Sequence, residues 1–184
     1  MENAVQNHNK ARDLAYIGLF VALIAVCSWI AIPTTVPFTL QTFAVFVSVG
    51  LLGGKRGTIA VLVYILIGAI GLPVYAGFQG GLGAVLGTTG GYLIGFIFTA
   101  LVMWAMMHFL GDKTWVLIVS MVLGLLACYI IGTVWFMAVY TEASGAVAVG
   151  TVLGWCVIPF IIPDLVKIAV AVLVTKRLKK YVKA

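Results

Sequence analysis

Asp164 and Lys167 stand three positions apart in "PFIIPDLVKIAVAVL", a run that is otherwise apolar. At i, i+3 on a helix the two share a face, so each lowers the cost of the other's charge. A carboxylate accepts hydrogen bonds from N–H donors, and an ammonium donates to a carbonyl or a carboxylate. One helix face thus offers both halves of recognition for a urea-like or amide-like group. The alternative is an ion pair that only pins this helix to its neighbours. Either way the charges need partners, because a lone charge at the centre of a bilayer costs about 2.5–3.5 kcal/mol on insertion scales. Lys167 precedes Lys176 by about 13 Å of helix, too deep to reach the membrane surface comfortably. Pro163, just before Asp164, removes a backbone donor and frees a carbonyl for a pocket.

Other residues could serve the same site. Gln41 opens an apolar segment beside Thr39 and Thr42. An amide there needs another helix or a ligand as partner, whereas the threonines suit capping. The stretch "GLPVYAGFQGGLGAVLGTTGGYLIGF", Gly71 to Phe96, is the densest feature, with eight glycines from Gly77 to Gly95. A helix interior tolerates that spacing poorly, and glycine lets backbone groups approach a ligand. Tyr75, Phe78 and Tyr92 add aromatic surface, and Gln79 adds an amide. These features describe a lid or pocket wall rather than a merely flexible loop.

The elements that must position these groups are membrane helices. Of 184 residues, 64% are hydrophobic and 9% charged. Soluble domains carry about a quarter charged residues, so the chain is an integral membrane protein, with no room for a separate nucleotide-hydrolysing domain. The expected fold is an all-α bundle of six transmembrane helices, near Leu14–Ile32, Phe38–Leu52, Thr58–Leu72, Gly91–Leu110, Trp115–Tyr140 and Thr151–Thr175. Residues 1–13 and 176–184 are short tails, and 14–175 form one membrane domain. The second and third segments span only about 22 Å each as helix, short of the roughly 30 Å hydrocarbon core.

Positive charge argues that they cross nonetheless. Lys10, Arg12, Lys55, Arg56, Lys113, Lys176, Arg177, Lys179, Lys180 and Lys183 all fall on one side if all six segments span. Connections 33–37, 73–90 and 141–150 hold no Lys or Arg. The basic side should be cytoplasmic, with both termini there and the Gly-rich loop, between the third and fourth helices, outside. The net charge of +6 follows from this asymmetry and asks for anionic lipid, not nucleic acid.

Catalysis, metal and cofactor binding find no support. Cys27, Cys128 and Cys156 lie in apolar segments without metal-ligand spacing and read as packing residues. "GGKRG" lacks a phosphate-loop pattern, since Arg56 stands where Ser or Thr is needed. Gly18, Ala22 and Ala25 form a small-residue stripe on the first helix, suited to internal packing or to docking on a separate membrane partner.

The blocks "VPFTLQTFAVFVSVGLLGGKRG", "GLPVYAGFQGGLGAVLGTTGGYLIGF" and "PFIIPDLVK" resemble the signature blocks of the BioY family, the biotin-specific S components of energy-coupling factor (ECF) importers. The resemblance covers most of the chain from residue 14 onward. It implies six membrane helices and an outer biotin pocket closed by the first and third outer loops. It also implies a transmembrane coupling subunit and two ATPases as partners, docked on the small-residue face of the first helix, and a bacterial-type plasma membrane. Under it, Asp164 and Lys167 bind the polar groups of biotin, preferably the ureido ring. Gln41, Gln79 and the Gly90–Gly91 backbone add hydrogen bonds, and Tyr75, Phe78 and Tyr92 cover the rings. The chain departs from the pattern at Thr88, where a Pro is usual, and at Pro163, where a Gly is usual. A stand-alone biotin carrier and a non-transporting scaffold are the competing functions.

Overall fold

The structure, a computed structural model, describes residues 2–182, with side chains from Lys10 onward. Met1 and, from the basic tail, Lys183 and Ala184 lie outside the described residues. The chain folds as α1 (Glu2–Trp29), a hairpin of β1 (Ala31–Ile32) and β2 (Phe38–Thr39), α2 (Gln41–Leu52) and α3 (Gly54–Ala69). A 3-10 turn (Ala76–Phe78), α4 (Leu82–Leu86), α5 (Gly90–Leu110), α6 (Thr114–Ser144), α7 (Val149–Cys156) and α8 (Ile158–Val182) follow. By length and composition, four stretches suffice to cross a membrane: Lys10–Trp29, Gly90–Leu110, Thr114–Ser144 and Val149–Val182.

The shortness of α2 has a physical explanation. Every residue of α2 from Ala44 to Leu52 is buried. A helix apolar on all sides belongs in the middle of a bundle. Its neighbours α1, α3, α5 and α8 therefore stand between α2 and any lipid, and its length need not match the bilayer. Gly57, at the start of α3, has no room for a side chain against Val49, so the turn at Gly53 brings the two helices into direct backbone contact. The α5–α6 pair is joined the same way. A Cβ on Gly95 would lie 2.8 Å from Cys128 Sγ, and one on Gly124 2.9 Å from the Thr99 methyl.

Several boundaries differ from those read in the sequence. The first and second segments are joined through a short paired turn. Ala31 pairs with Thr39 and Ile32 with Phe38, so Pro33 and Pro37 flank the loop of a small hairpin. The sixth segment is two helices. Val157 leaves helical geometry at φ −128°, ψ −57°, because the Pro159 ring cannot follow a continuous helix past the preceding turn. Pro163, in turn, lies inside α8 and does not start it. The Gly-rich connection contains the short helix α4, and α8 continues through the basic tail to Val182.

Ion pairs gather the charged ends. Arg56 Nε lies 3.0 Å from Asp13 Oδ2, and Lys179 Nζ lies 2.8 Å from Asp112 Oδ2. They tie α1 to α3, and the α5–α6 turn to α8, at one end of the bundle. The hairpin and the Gly-rich connection form the opposite end.

Candidate binding site

A cavity of about 430 Å³ opens at that opposite end. This lies within the size range of small-molecule sites. Its walls come from the end of α1, the hairpin, the 75–89 connection and helices α2, α5, α6, α7 and α8. Most of the lining is apolar, and its two charged groups lie together on the floor.

Asp164 and Lys167 form that floor. Asp164 is 2% exposed and Lys167 7%, and Lys167 Nζ lies 2.7 Å from Asp164 Oδ1. Two hydroxyls complete the cluster. Thr42 donates to Asp164 Oδ1 at 3.2 Å and accepts from Lys167 Nζ at 3.1 Å. Tyr129 donates to Asp164 Oδ2 at 2.5 Å. The ammonium also stands 4.3 Å from the centre of the Phe38 ring, an attractive cation–π arrangement. Phe38 stacks in turn on Phe160, with ring centres 5.6 Å apart. A carboxylate offers about four lone-pair directions. Three are taken by Lys167, Thr42 and Tyr129, so Asp164 keeps one for a ligand N–H. Lys167 has three N–H groups and gives two to protein, so it keeps one for a ligand carbonyl.

The other candidates separate into two groups. Gln41, Gln79, Tyr75 and Tyr92 line the cavity with the charged pair. Gln41 is already engaged, its Nε2 donating to the Tyr64 hydroxyl at 2.6 Å. That hydroxyl donates to Val74 O at 3.0 Å, so Gln41 is coupled to the start of the Gly-rich connection. Tyr75 donates to Ile65 O at 2.6 Å. Burial pushes its phenol up to about 12, which keeps it a donor. Tyr92 shares a hydrogen bond with Thr133 at 3.3 Å.

Phe78, Gly90 and Gly91 do not line the cavity. Phe78 has φ 57°, which turns its side chain outward onto Trp29, with ring centres 5.1 Å apart. Gly90 sits against the Val85 backbone and Gly91 against Trp135, so both serve close packing. Thr89, one residue earlier, does line the cavity. Gly18 and Ala22 are exposed on α1, and an added Cβ at Gly18 would meet nothing within 4 Å. Ala25 is buried and belongs to the core instead.

Tyr129, Phe38 and Phe160 are absent from the residues singled out in the sequence, and Thr42 stood there only as a cap. Tyr129 had a signal. A phenol midway along an apolar helix needs a partner for its hydroxyl, and Asp164 is the buried acceptor it finds. The aromatic pair had none, because an aromatic in a membrane chain is ordinary.

Proteins to which this chain is similar are named as biotin transporters or as a biotin S component. The biotin transporter BioY of Thermotoga maritima is 45% identical over 170 residues, 92% of this chain and 96% of that protein. The probable biotin transporter BioY of Pyrococcus horikoshii is 39% identical over 171 residues, 92% of this chain and 98% of that one. The crystal structure of the S component for biotin from an ECF-type ABC transporter matches with a TM-score of 0.84 at 28% identity, over 95% of this chain and 94% of that one. A model of the BioY family matches residues 1–184. The chain therefore belongs to the BioY family.

Proposed function

We propose that this chain is the substrate-binding membrane subunit of a biotin importer. It takes biotin from the outer side and delivers it in concert with an ATP-driven ECF coupling module. The observation that carries the reading is the buried Asp164–Lys167 pair at the floor of the cavity, with one acceptor site and one donor left over. A cyclic urea presents an N–H beside a C=O and matches that pair of vacancies. The apolar walls suit the thiophane ring and the pentanoyl chain, and the names of the relatives point the same way.

In this reading all six rods cross the plasma membrane, α7 and α8 counting as one, with both termini cytoplasmic. The ion pairs Asp13–Arg56 and Asp112–Lys179 support it, since they bring the basic connections to one end. Tyr75, Gln79, Tyr92 and Gln41 border the bound ligand. Phe78 acts through Trp29, and Gly90 and Gly91 act by holding Thr89 in place. A transmembrane coupling subunit, working with two ATPases, docks on the exposed Gly18–Ala22 face of α1. The test is uptake of labelled biotin in cells that supply the coupling module. Gly18→Leu should leave binding by the purified chain intact and abolish uptake. Unchanged uptake would remove the docking assignment, and absence of biotin binding by the parent chain would remove the function.

A further inference from the structure

This inference rests on the biotin reading of the cavity and concerns which end of the ligand is recognised. Among the described residues, Lys167 is the one Lys or Arg that lines the cavity. Its ammonium is held by Asp164 at 2.7 Å, by Thr42 at 3.1 Å and over the Phe38 ring at 4.3 Å. The formal charge of the floor is thus zero. An anion placed there would compete with Asp164 for the ammonium and would face the Asp164 carboxylate at close range, in a region that screens little. A neutral head with an N–H beside a C=O meets no such conflict.

Among the described residues, no cation lines the cavity at the far end of the ligand. Thr34, Gln79 and Thr89 line the mouth, all uncharged, with Thr34 and Gln79 exposed. The Gln79 amide and the Thr89 hydroxyl can donate to a carboxylate or to a carboxamide carbonyl alike, while the Thr34 hydroxyl already donates to Val36 O and is left as an acceptor. The start of α5 beside Thr89 offers partial positive charge, which favours a carboxylate by about two- to fivefold. Solvent at the mouth leaves room for a substituent on the carboxyl group.

We infer that the site reads the neutral cyclic-urea head and discriminates only weakly by the charge of the far end. Its substrate class therefore includes biotin derivatives whose carboxyl group is capped as an amide or an ester.

The test is calorimetric titration of the purified chain in detergent with three ligands: biotin, its primary amide, and biotin methylated on both urea nitrogens. The expected result is an amide affinity within about tenfold of biotin, and loss of binding for the methylated urea. An amide weaker than biotin by more than that factor overturns the inference while leaving the biotin reading in place. Full binding by the methylated urea overturns it too, because the head would not then be at the floor. Failure of biotin itself to bind defeats the underlying reading, and the inference with it.

Discussion

Tyr129 and Thr42 turn a pair of charges into a defined recognition surface. Without them Asp164 would keep three free lone-pair directions and Lys167 a second free N–H. With them, one acceptor and one donor remain. Tyr129→Phe removes a hydrogen bond to a charged group, an interaction worth about 1.5–3 kcal/mol. We expect biotin affinity to fall by about ten- to a hundredfold, read by titration, with the fold retained by thermal melting. Phe38→Ala removes the ring beneath the ammonium, worth about 0.5–2 kcal/mol, and should weaken binding by roughly three- to thirtyfold on the same assay. Replacing both charges, Asp164→Leu with Lys167→Met, is a stricter experiment. Buried ion pairs often give way to apolar residues without loss of stability. The double variant should melt at or above the parent temperature and bind no biotin. A scaffold role for the pair predicts that stability falls instead.

Two features of the elements make this floor possible. The first is the break at Val157, which separates α7 from α8 and lets Phe160 and Asp164 face the cavity while α7 contributes Cys156 to its wall. The second is the close seam of α5 and α6, where Gly95 and Gly124 allow the helices to meet across Cys128 and Thr99. Gly95→Val forces side-chain volume into that seam. Overpacking typically costs about 1–3 kcal/mol, and the expected outcome is a lowered melting temperature together with weaker biotin binding, since Tyr129 rides on α6 next to Cys128.

How much of this was legible beforehand follows from the physics of each residue. Asp164 and Lys167 were visible because charge in an apolar helix is expensive, and their spacing alone put them on one face. Pro159 did carry the signal for the helix break, but an unbroken apolar run hid it. The hairpin was not legible, since strands of two residues leave no alternation to read. Thr42 and Tyr129 were hidden for another reason. A hydroxyl costs little in a helix and has local uses, so only tertiary packing reveals its partner. Phe78 reads as pocket surface by type, and its positive φ, which points it at Trp29, is a property of the folded loop.

At the scale of the molecule, charge and cavity sit at opposite ends. The ion pairs and the basic connections gather at one end, and the polar floor opens toward the other. The orientation has a direct check. Cys27, Cys128 and Cys156 are buried, so cysteines introduced elsewhere can be labelled selectively. In intact cells, Ser144→Cys should react with a membrane-impermeant maleimide and Lys113→Cys should not. The reverse pattern would invert the topology and place the cavity on the cytoplasmic side.

Titration of biotin into the purified chain, beside its Asp164→Asn variant, tests the central claim most directly. Asparagine keeps the shape but leaves the Lys167 ammonium buried without its counter-charge, a change that costs about 3–5 kcal/mol. The account predicts saturable one-site binding by the parent chain and a loss of at least a hundredfold in the variant. Equal affinity in the two proteins would contradict it.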